Sequence, residues 1–425
     1  MKSHITRVVD SCRVCGFKKL MPILSLGNLY VSDFLDGRDP KGVKAPLELA
    51  LCNEKDGGCG LLQLVHTVSH KTMYRNYWYR SGMNKTMTNE LHGIARKVES
   101  IVDFKDNDFV IDIGANDGTL LRGYTKKDLG LIGFEPARNL KQYGSVGTTK
   151  IITDFFNFPA WQKEFGDAKA KTVTAVAMFY DLDYPNVFVD DVRKCLDKDG
   201  VFIIQMSYLP SMLSQNAFDN ICHEHLEYYS LLSLENLLKR HDLEVFDVEL
   251  NDINGGSFRI YIRHSGGGKS IKIPYGARGR VETMRSKERE LNLNDRKVYD
   301  DFVKRIFDLK EKTVSFVKKE TQSGKKVYVY GASTKGNTLL QFYGLDNKII
   351  LAAAERNRDK WGKKTVGTNI PIISEAEARA DRPHHFLVLP WHFMDEFKER
   401  EADFLKSGGK FIVPLPEFKI ISHEA

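Results

Sequence analysis

At 425 residues the chain exceeds what one hydrophobic core organises, so two or three domains are expected. Its 42% apolar and 11% aromatic content is that of packed globular protein and excludes a disordered chain, while a net charge of +7 from 63 basic and 56 acidic residues argues only weakly for nucleic acid and suits a nucleotide diphosphate equally well. No apolar run is long enough to span a bilayer and the opening "MKSHITRVVDSC" has no apolar signal core, so a cytoplasmic protein with no membrane partner is expected.

Four of the six cysteines cluster at the start, as Cys12-x-x-Cys15-Gly16 and Cys52-x6-Cys59-Gly60. Each pair reads as a knuckle, with a glycine after its last cysteine that lets the backbone curl around a metal. Four thiolates suit tetrahedral zinc, and a site filled by four cysteines has no vacancy for water, so the zinc is expected to be structural. Asn53 to Gly58 would loop out of the longer second knuckle. This module is assigned to residues 1–70.

Residues 70–104 read as a helical connector carrying the aromatic cluster "YRNYWYRSGMNKTM". Strands then alternate with helices: "DFVIDI" runs into a glycine turn and a helix, followed by "LGLIGFEP", "TKIITDFF", "KTVTAVAMFY" and "DGVFIIQMSYL". Two further strands, "LEVFDVEL" and "GSFRIYIRH", close a doubly wound sheet with an antiparallel edge, giving an α/β domain over residues 71–265. The glycine-rich "HSGGGKS" leads to a linker and long helix over 266–324, with Val298, Phe302, Ile306, Leu309 and Phe316 at helical spacing. Residues 325–425 repeat the strand, turn and helix theme as a second, smaller Rossmann-like domain.

The turn "DIGANDG" selects the ligand of the first sheet. A dinucleotide fingerprint needs G-x-G-x-x-G, but Gly114 is followed by Asn116 and then Gly118, with the acid Asp112 at the strand end. A carboxylate there suits a cationic ligand. Glu135 at the tip of the next strand is placed for two ribose hydroxyls, and Asp154 after the third for an adenine amine. Together these acids fit S-adenosylmethionine, which has ribose, adenine and positive charge but no phosphate.

At this point the chain resembles the three-domain sugar C-methyltransferases that act on nucleotide-linked keto-sugars. The resemblance lies in "CRVCG" with "CGLLQL", in "YWYRSGMNKTM", in "DIGANDGTLL" with "GFEPARNL", in "HEHLEYYS" and in "YGASTKGNTLLQ", and it covers almost the whole chain. It implies a zinc module, a class I methyltransferase Rossmann-like sheet holding S-adenosylmethionine, a C-terminal domain that helps to hold a sugar nucleotide, and a reaction between them. The chain departs from the family at Cys222, where relatives carry tyrosine, and in "MFYDLDYP", where some place a histidine. The resemblance puts Cys222 and Tyr180 against the sugar and Met178 at the cofactor.

"CHEHLEYYS" follows the fifth strand, at the carboxyl edge where open α/β sheets bind substrate. Carbon methylation needs a carbon nucleophile, and a proton α to a ketone, removed by a base titrating near neutrality, supplies one. His225 is assigned as base, with Glu224 orienting it and raising its pKa, and His223 as the second candidate. An extended segment would send residues 223 and 225 to one side and Glu224 to the other. Tyr77 and Tyr79 are candidates to hydrogen-bond the keto oxygen, and Gly331, Ser333, Lys335 and Gly336 form a turn able to reach a diphosphate. Three readings compete: an RNA methyltransferase gripping a backbone, a non-catalytic binding scaffold, which would have to explain why cofactor acids and a histidine loop coexist, and methylation of oxygen on a sugar or other small molecule. Against the first, no basic run is interleaved with aromatics, so no nucleic-acid partner is expected.

Overall fold

A computed structural model of the protein describes residues 6–36, 42–74 and 77–423; Arg75 and Asn76 of the aromatic cluster lie outside the described residues. Strands Met21–Tyr30, Lys44–Leu51 and Leu62–Leu64 form an antiparallel sheet in the amino-terminal module, and its fourth strand, Glu227–Tyr228, comes from the H-E-H segment. Glu227 pairs with Gln63 and Tyr228 with Leu62, so the loop and the module fold as one sheet.

The middle sheet has seven strands in the spatial order Leu243–Asn251, Ser257–His264, Leu196–Ser207, Ala170–Val176, Phe109–Ile113, Gly130–Phe134, Lys150–Ile152. Its inner strands are nearly continuous apolar runs because both faces are covered, as in Val201 to Ile204, all fully buried. All strands run parallel except Ser257–His264, which is antiparallel to both neighbours. That strand is not the edge: it inserts between Leu196–Ser207 and Leu243–Asn251.

The expected helix after Phe109–Ile113 is only a single 3-10 turn, Leu121–Gly123. The space on that face is filled by helix Lys85–Ile101, whose Leu91, Ile94 and Val98 share a core with Leu120 and Leu121. A Cβ on Gly123 would come within 2.8 Å of the His92 Cα, so the chain passes under that helix with no room for a second one. The single long helix expected after the glycine-rich break is two: Ala277–Glu290, and Arg296–Gln322 capped by Asp295, whose carboxylate accepts the Lys297 N–H at 2.9 Å. The second helix buries Phe302, Ile306 and Leu309 as its spacing predicts.

The C-terminal sheet orders its strands Ile372–Ser374, Ala353–Glu355, Val327–Tyr330, His385–Val388, Lys410–Val413, Lys419–Ile421, the last antiparallel. It is tied to the zinc module by pairing of Lys364–Thr365 with Phe34–Leu35, and by Gln341, whose side-chain amide exchanges two hydrogen bonds with the Tyr30 backbone at 2.8 and 3.1 Å. Between the sheets lies a cavity of about 650 Å³ lined from all three parts of the chain. Among the described residues no helix is long and apolar enough to cross a membrane.

Candidate active site

The four cysteines converge, with their sulfur atoms all within 4.8 Å of one another. The two knuckles are built alike despite their different lengths. Gly16 donates to the Cys12 carbonyl at 2.9 Å and Gly60 to the Cys52 carbonyl at 2.8 Å, both glycines at positive φ. The second cysteine of each pair turns its N–H toward the sulfur of the first, at 3.5 and 3.4 Å. The six intervening residues of the second knuckle loop out through a turn of 3-10 helix, Glu54–Asp56. Four converging soft donors with no oxygen ligand and no open position fit structural zinc.

At the cofactor end, Gly114 and Gly118 take φ of 73° and 77°, and Asn116 the left-handed 52°. The positive φ at Gly114 favours glycine, and a Cβ there would come within 3.1 Å of the Met178 side chain, which would have to give way. Glu135 is buried, and its two oxygens accept the N–H groups of Asn116 at 2.8 Å and Ala137 at 2.7 Å. Each oxygen keeps a lone pair for a ribose hydroxyl. Asp112 accepts from the Thr174 hydroxyl at 2.6 Å, and burial raises its pKa to about 7, a cost that a cationic ligand would relieve. Asp154 does not reach the cavity: it is exposed and accepts its neighbour's N–H, while Phe155, Phe156 and Asn157 line the wall in its place. Gly118 is also outside the lining and lies against the Gly144 backbone.

The aromatic segment forms a strap over this turn. Asn139 holds the Tyr77 backbone through both amide atoms at 3.0 and 2.8 Å, Asn116 binds Tyr79 and Ser81, and Asp117 accepts the Gly82 N–H at 2.8 Å. Tyr77 and Tyr79 both line the cavity, Tyr77 deeper and Tyr79, 44% exposed, at its mouth.

Cys222 to His225 is a tight turn instead of an extended segment, closed by the His225 N–H on the Cys222 carbonyl at 3.1 Å. Next, Leu226 donates to the Tyr180 carbonyl at 2.8 Å and its own carbonyl accepts from Leu64 at 2.9 Å, which sets the turn between two sheets. Cys222, Glu224 and His225 therefore line the cavity together, while His223 points away, its Nε2 3.0 Å from the Ala45 carbonyl in the zinc module.

His225 Nδ1 lies 2.7 Å from the Asn220 carbonyl, which can only accept, so Nδ1 carries the proton and Nε2 is left as a lone pair. Its ring packs on Tyr180 with centroids 4.3 Å apart. The expected rise in its pKa through Glu224 does not occur. Burial, aided by the charge of Lys335, drives it down to about 3, and no hydrogen bond joins the two side chains among the described contacts. Glu224 is itself pushed up to about 7 by burial, with Oε2 unpartnered.

Three residues that sequence reasoning missed complete the site. Asn220 holds His225 by its carbonyl and Lys335 by its side-chain oxygen. Tyr74 donates to the Glu224 carbonyl at 3.3 Å. Asp181 lines the cavity with one buried oxygen unpartnered, its carboxyl held well above the usual range by burial, whereas nearby Asp183 is neutralised by Arg7 at 2.6 Å and Arg13 at 3.4 Å. Nothing in "MFYDLDYP" distinguishes these two aspartates. On the opposite wall Gly331, Ser333 and Lys335 face the cavity, Ser333 capping helix Thr334–Tyr343, while Gly336 is spent on packing, a Cβ there lying 2.5 Å from Leu389.

Three family models match in chain order: a zinc binding domain over residues 12–74, a methyltransferase domain over 79–248 and a C-methyltransferase C-terminal domain over 252–416. The C-methyltransferase NovU of Streptomyces niveus is 28% identical over 425 residues, spanning 99% of each chain. Solved structures overlap the chain in part. The 1,6-didemethyltoxoflavin-N1-methyltransferase of Burkholderia thailandensis, with bound S-adenosylhomocysteine, covers 43% of this chain and 80% of its own at 11% identity and a TM-score of 0.33. The CcbJ methyltransferase of Streptomyces caelestis covers 41% and 90% at 10% identity and a TM-score of 0.32.

Proposed function

Because the chain belongs to the zinc-binding, three-domain, S-adenosylmethionine-dependent C-methyltransferases, we propose that it methylates carbon on a nucleotide-linked keto-sugar through an enolate formed by His225. The observation that carries this reading is the tethered imidazole: its Nδ1–H is committed to the Asn220 carbonyl, so Nε2 meets the substrate as an acceptor in the cavity that the cofactor turn also lines. Nε2 takes the proton α to the ketone, and the electron pair of the broken C–H bond moves onto the keto oxygen. Tyr77, kept protonated by burial, is placed to hydrogen-bond that oxygen as charge develops. S-adenosylmethionine, when bound, supplies an electrophilic methyl group on sulfur. Asp112, Gly114 and Glu135 would hold it, and the strap from Tyr77 to Gly82 would exclude water. Gly331, Ser333 and Lys335 would receive the nucleotide.

Incubation with labelled S-adenosylmethionine and a panel of nucleotide-linked 4-keto sugars, followed by NMR, is expected to place the label on a ring carbon next to the ketone. Label on a hydroxyl oxygen, or on RNA with none on any sugar, would replace the reading.

The cofactor assignment makes its own prediction. Glu135→Ala should weaken S-adenosylmethionine binding by about 1.5–3 kcal/mol, the usual value of hydrogen bonds to a charged group, and Asp112→Ala should weaken it as well. Calorimetry showing wild-type affinity in both variants would move the cofactor away from this turn.

Glu224 supports a second reading as proton acceptor, since its unpartnered oxygen lines the same cavity. A carboxylate is active only above its pKa, so kcat/KM limited by Glu224 falls on the acid side of about 7. His225, already neutral above about 3, contributes no limb in the working range. The profile of Glu224→Gln decides: an acid limb that disappears makes Glu224 the titrating group, and one that persists assigns it elsewhere.

A further inference from the structure

The strap over the cofactor turn is held from two sides. On the cofactor side the grips are all on its backbone: Asn139 at Tyr77, Asn116 at Tyr79 and Ser81, and Asp117 at Gly82. Trp78, between the two tyrosines that line the cavity, is gripped from elsewhere. Its indole N–H donates to the Asp33 carboxylate at 3.1 Å, and its carbonyl accepts from the Asn357 side-chain amide at 3.1 Å. Its ring meets Phe34 edge-on, with centroids 6.1 Å apart, and carries the Lys363 ammonium 5.0 Å from its centre. Every one of these partners is fixed to the C-terminal domain. Asn357 and Lys363 belong to it directly. Asp33 lies in the amino-terminal module by sequence but is carried on helix Thr334–Tyr343, where Asn337 donates to the Asp33 carbonyl at 3.1 Å and the Ser32 hydroxyl to the Thr334 carbonyl at 2.8 Å. Phe34 pairs with Thr365, and its ring lies 4.5 Å from the Lys360 ammonium.

We infer that Trp78 is a positioning residue through which the C-terminal domain holds the strap shut, so that release of the cofactor is governed by a domain that contributes nothing to the cofactor turn. A ligand beneath a cover leaves only when the cover lifts, and lifting this one breaks bonds on both of its sides. A bond lost on the C-terminal side therefore shows in the dissociation rate of the cofactor, although the turn that binds it is untouched. The seat also fixes where the strap's tyrosines stand: Tyr77 and Tyr79 flank Trp78, so the residue placed to meet the keto oxygen is aimed from the same anchor. Asp33 isolates the effect. It is outside the cavity lining, so it reaches the cofactor only through the indole it accepts from. The inference needs the cofactor alone and is independent of the identity of the methyl acceptor.

Dissociation of labelled S-adenosylhomocysteine from the full chain, chased with unlabelled compound, tests this. Trp78→Phe, which keeps a ring against Phe34 but loses the N–H, and Asn357→Ala, which frees the Trp78 carbonyl, should each speed release about 5-fold, the factor that corresponds to one hydrogen bond. Asp33→Ala should do the same, whereas Asp33→Asn, which keeps an acceptor for the indole, should release at close to the wild-type rate. That rescue is what a general loss of stability would not produce, and the ligand-free melting temperatures of the four variants should not follow their release rates. Wild-type release in both Asp33→Ala and Asn357→Ala would overturn the inference, as would an Asp33→Asn as fast as Asp33→Ala or release rates that track melting temperature. The Asp33 pair leaves Trp78 itself intact, so a poorly folding Trp78→Phe does not remove the test. Failure of the wild type to bind S-adenosylhomocysteine at all would overturn the cofactor assignment and the inference with it.

Discussion

His225→Asn is expected to keep its fold and its affinity for S-adenosylmethionine and to lose about 10²–10⁴ in turnover, the range spanned by loss of a general base. Asparagine can keep a donor toward the Asn220 carbonyl, which lies 2.7 Å from Nδ1 in the wild type, so the local tether survives while the lone pair at Nε2 does not. A second readout separates a base from a residue that only positions substrate. If the wild type exchanges the substrate's α proton with deuterated water in the absence of methyl donor, His225→Asn should stop that exchange, whereas a misplaced substrate would still exchange slowly. His223→Asn should leave exchange intact, because His223 is committed to the Ala45 carbonyl at 3.0 Å on the far side of the turn. Exchange lost with His223→Asn and spared with His225→Asn would reverse the assignment, and exchange intact in both variants would remove histidine from the proton transfer.

The choice between the two histidines shows where sequence stops being informative. Alternation along an extended segment puts residues 223 and 225 on one side. In the protein they part, because the segment is bent by bonds to residues far away in the chain: Leu226 to Tyr180, Leu64 to Leu226, and Glu227 opposite Gln63. No local spacing encodes those partners. The same holds for Asn220, whose importance comes from meeting Lys335 of another sheet. It holds too for the pKa of His225, which is set by burial and by Lys335 and not by the adjacent glutamate. What spacing does encode was readable. The cysteine pairs converge, the glycine turn opens on the cavity, and the alternating strands build two sheets in the expected succession. Asp154 is exposed past its strand end, and it is Phe155 to Asn157, the next residues along, that line the cavity wall.

Zinc removal is expected to have the largest effect on the protein as a whole, and to reach the active site. Apparent binding free energies of structural zinc in small fingers are about 10–16 kcal/mol, comparable with the ~5–15 kcal/mol that holds a whole domain folded. Without the metal the four sulfur atoms lose the centre they converge on, and the backbone bonds that curl each knuckle around its first cysteine, to the sulfur and carbonyl of Cys12 and of Cys52, lose their support. The knuckles in turn hold Arg13, whose guanidinium binds the Leu64 carbonyl, the Thr67 hydroxyl at 2.7 Å and Asp183, and whose carbonyl accepts from Asn186 at 3.0 Å. Leu62–Leu64 is the strand on which Glu227–Tyr228 pairs, two residues past His225. Cys59→Ser, or exhaustive chelation, should therefore lower soluble yield and melting temperature. In whatever protein remains folded, it should loosen the H-E-H turn before the cofactor turn, which is held by Glu135 and the Tyr77–Gly82 strap. Hydrogen exchange read by mass spectrometry should show protection lost first across 222–228 and retained at 109–118. Metal analysis should find about one zinc per chain in carefully purified protein. A zinc-free preparation with unchanged melting temperature, or equal loss of protection in both segments, would show that the module neither folds around the metal nor supports the catalytic turn.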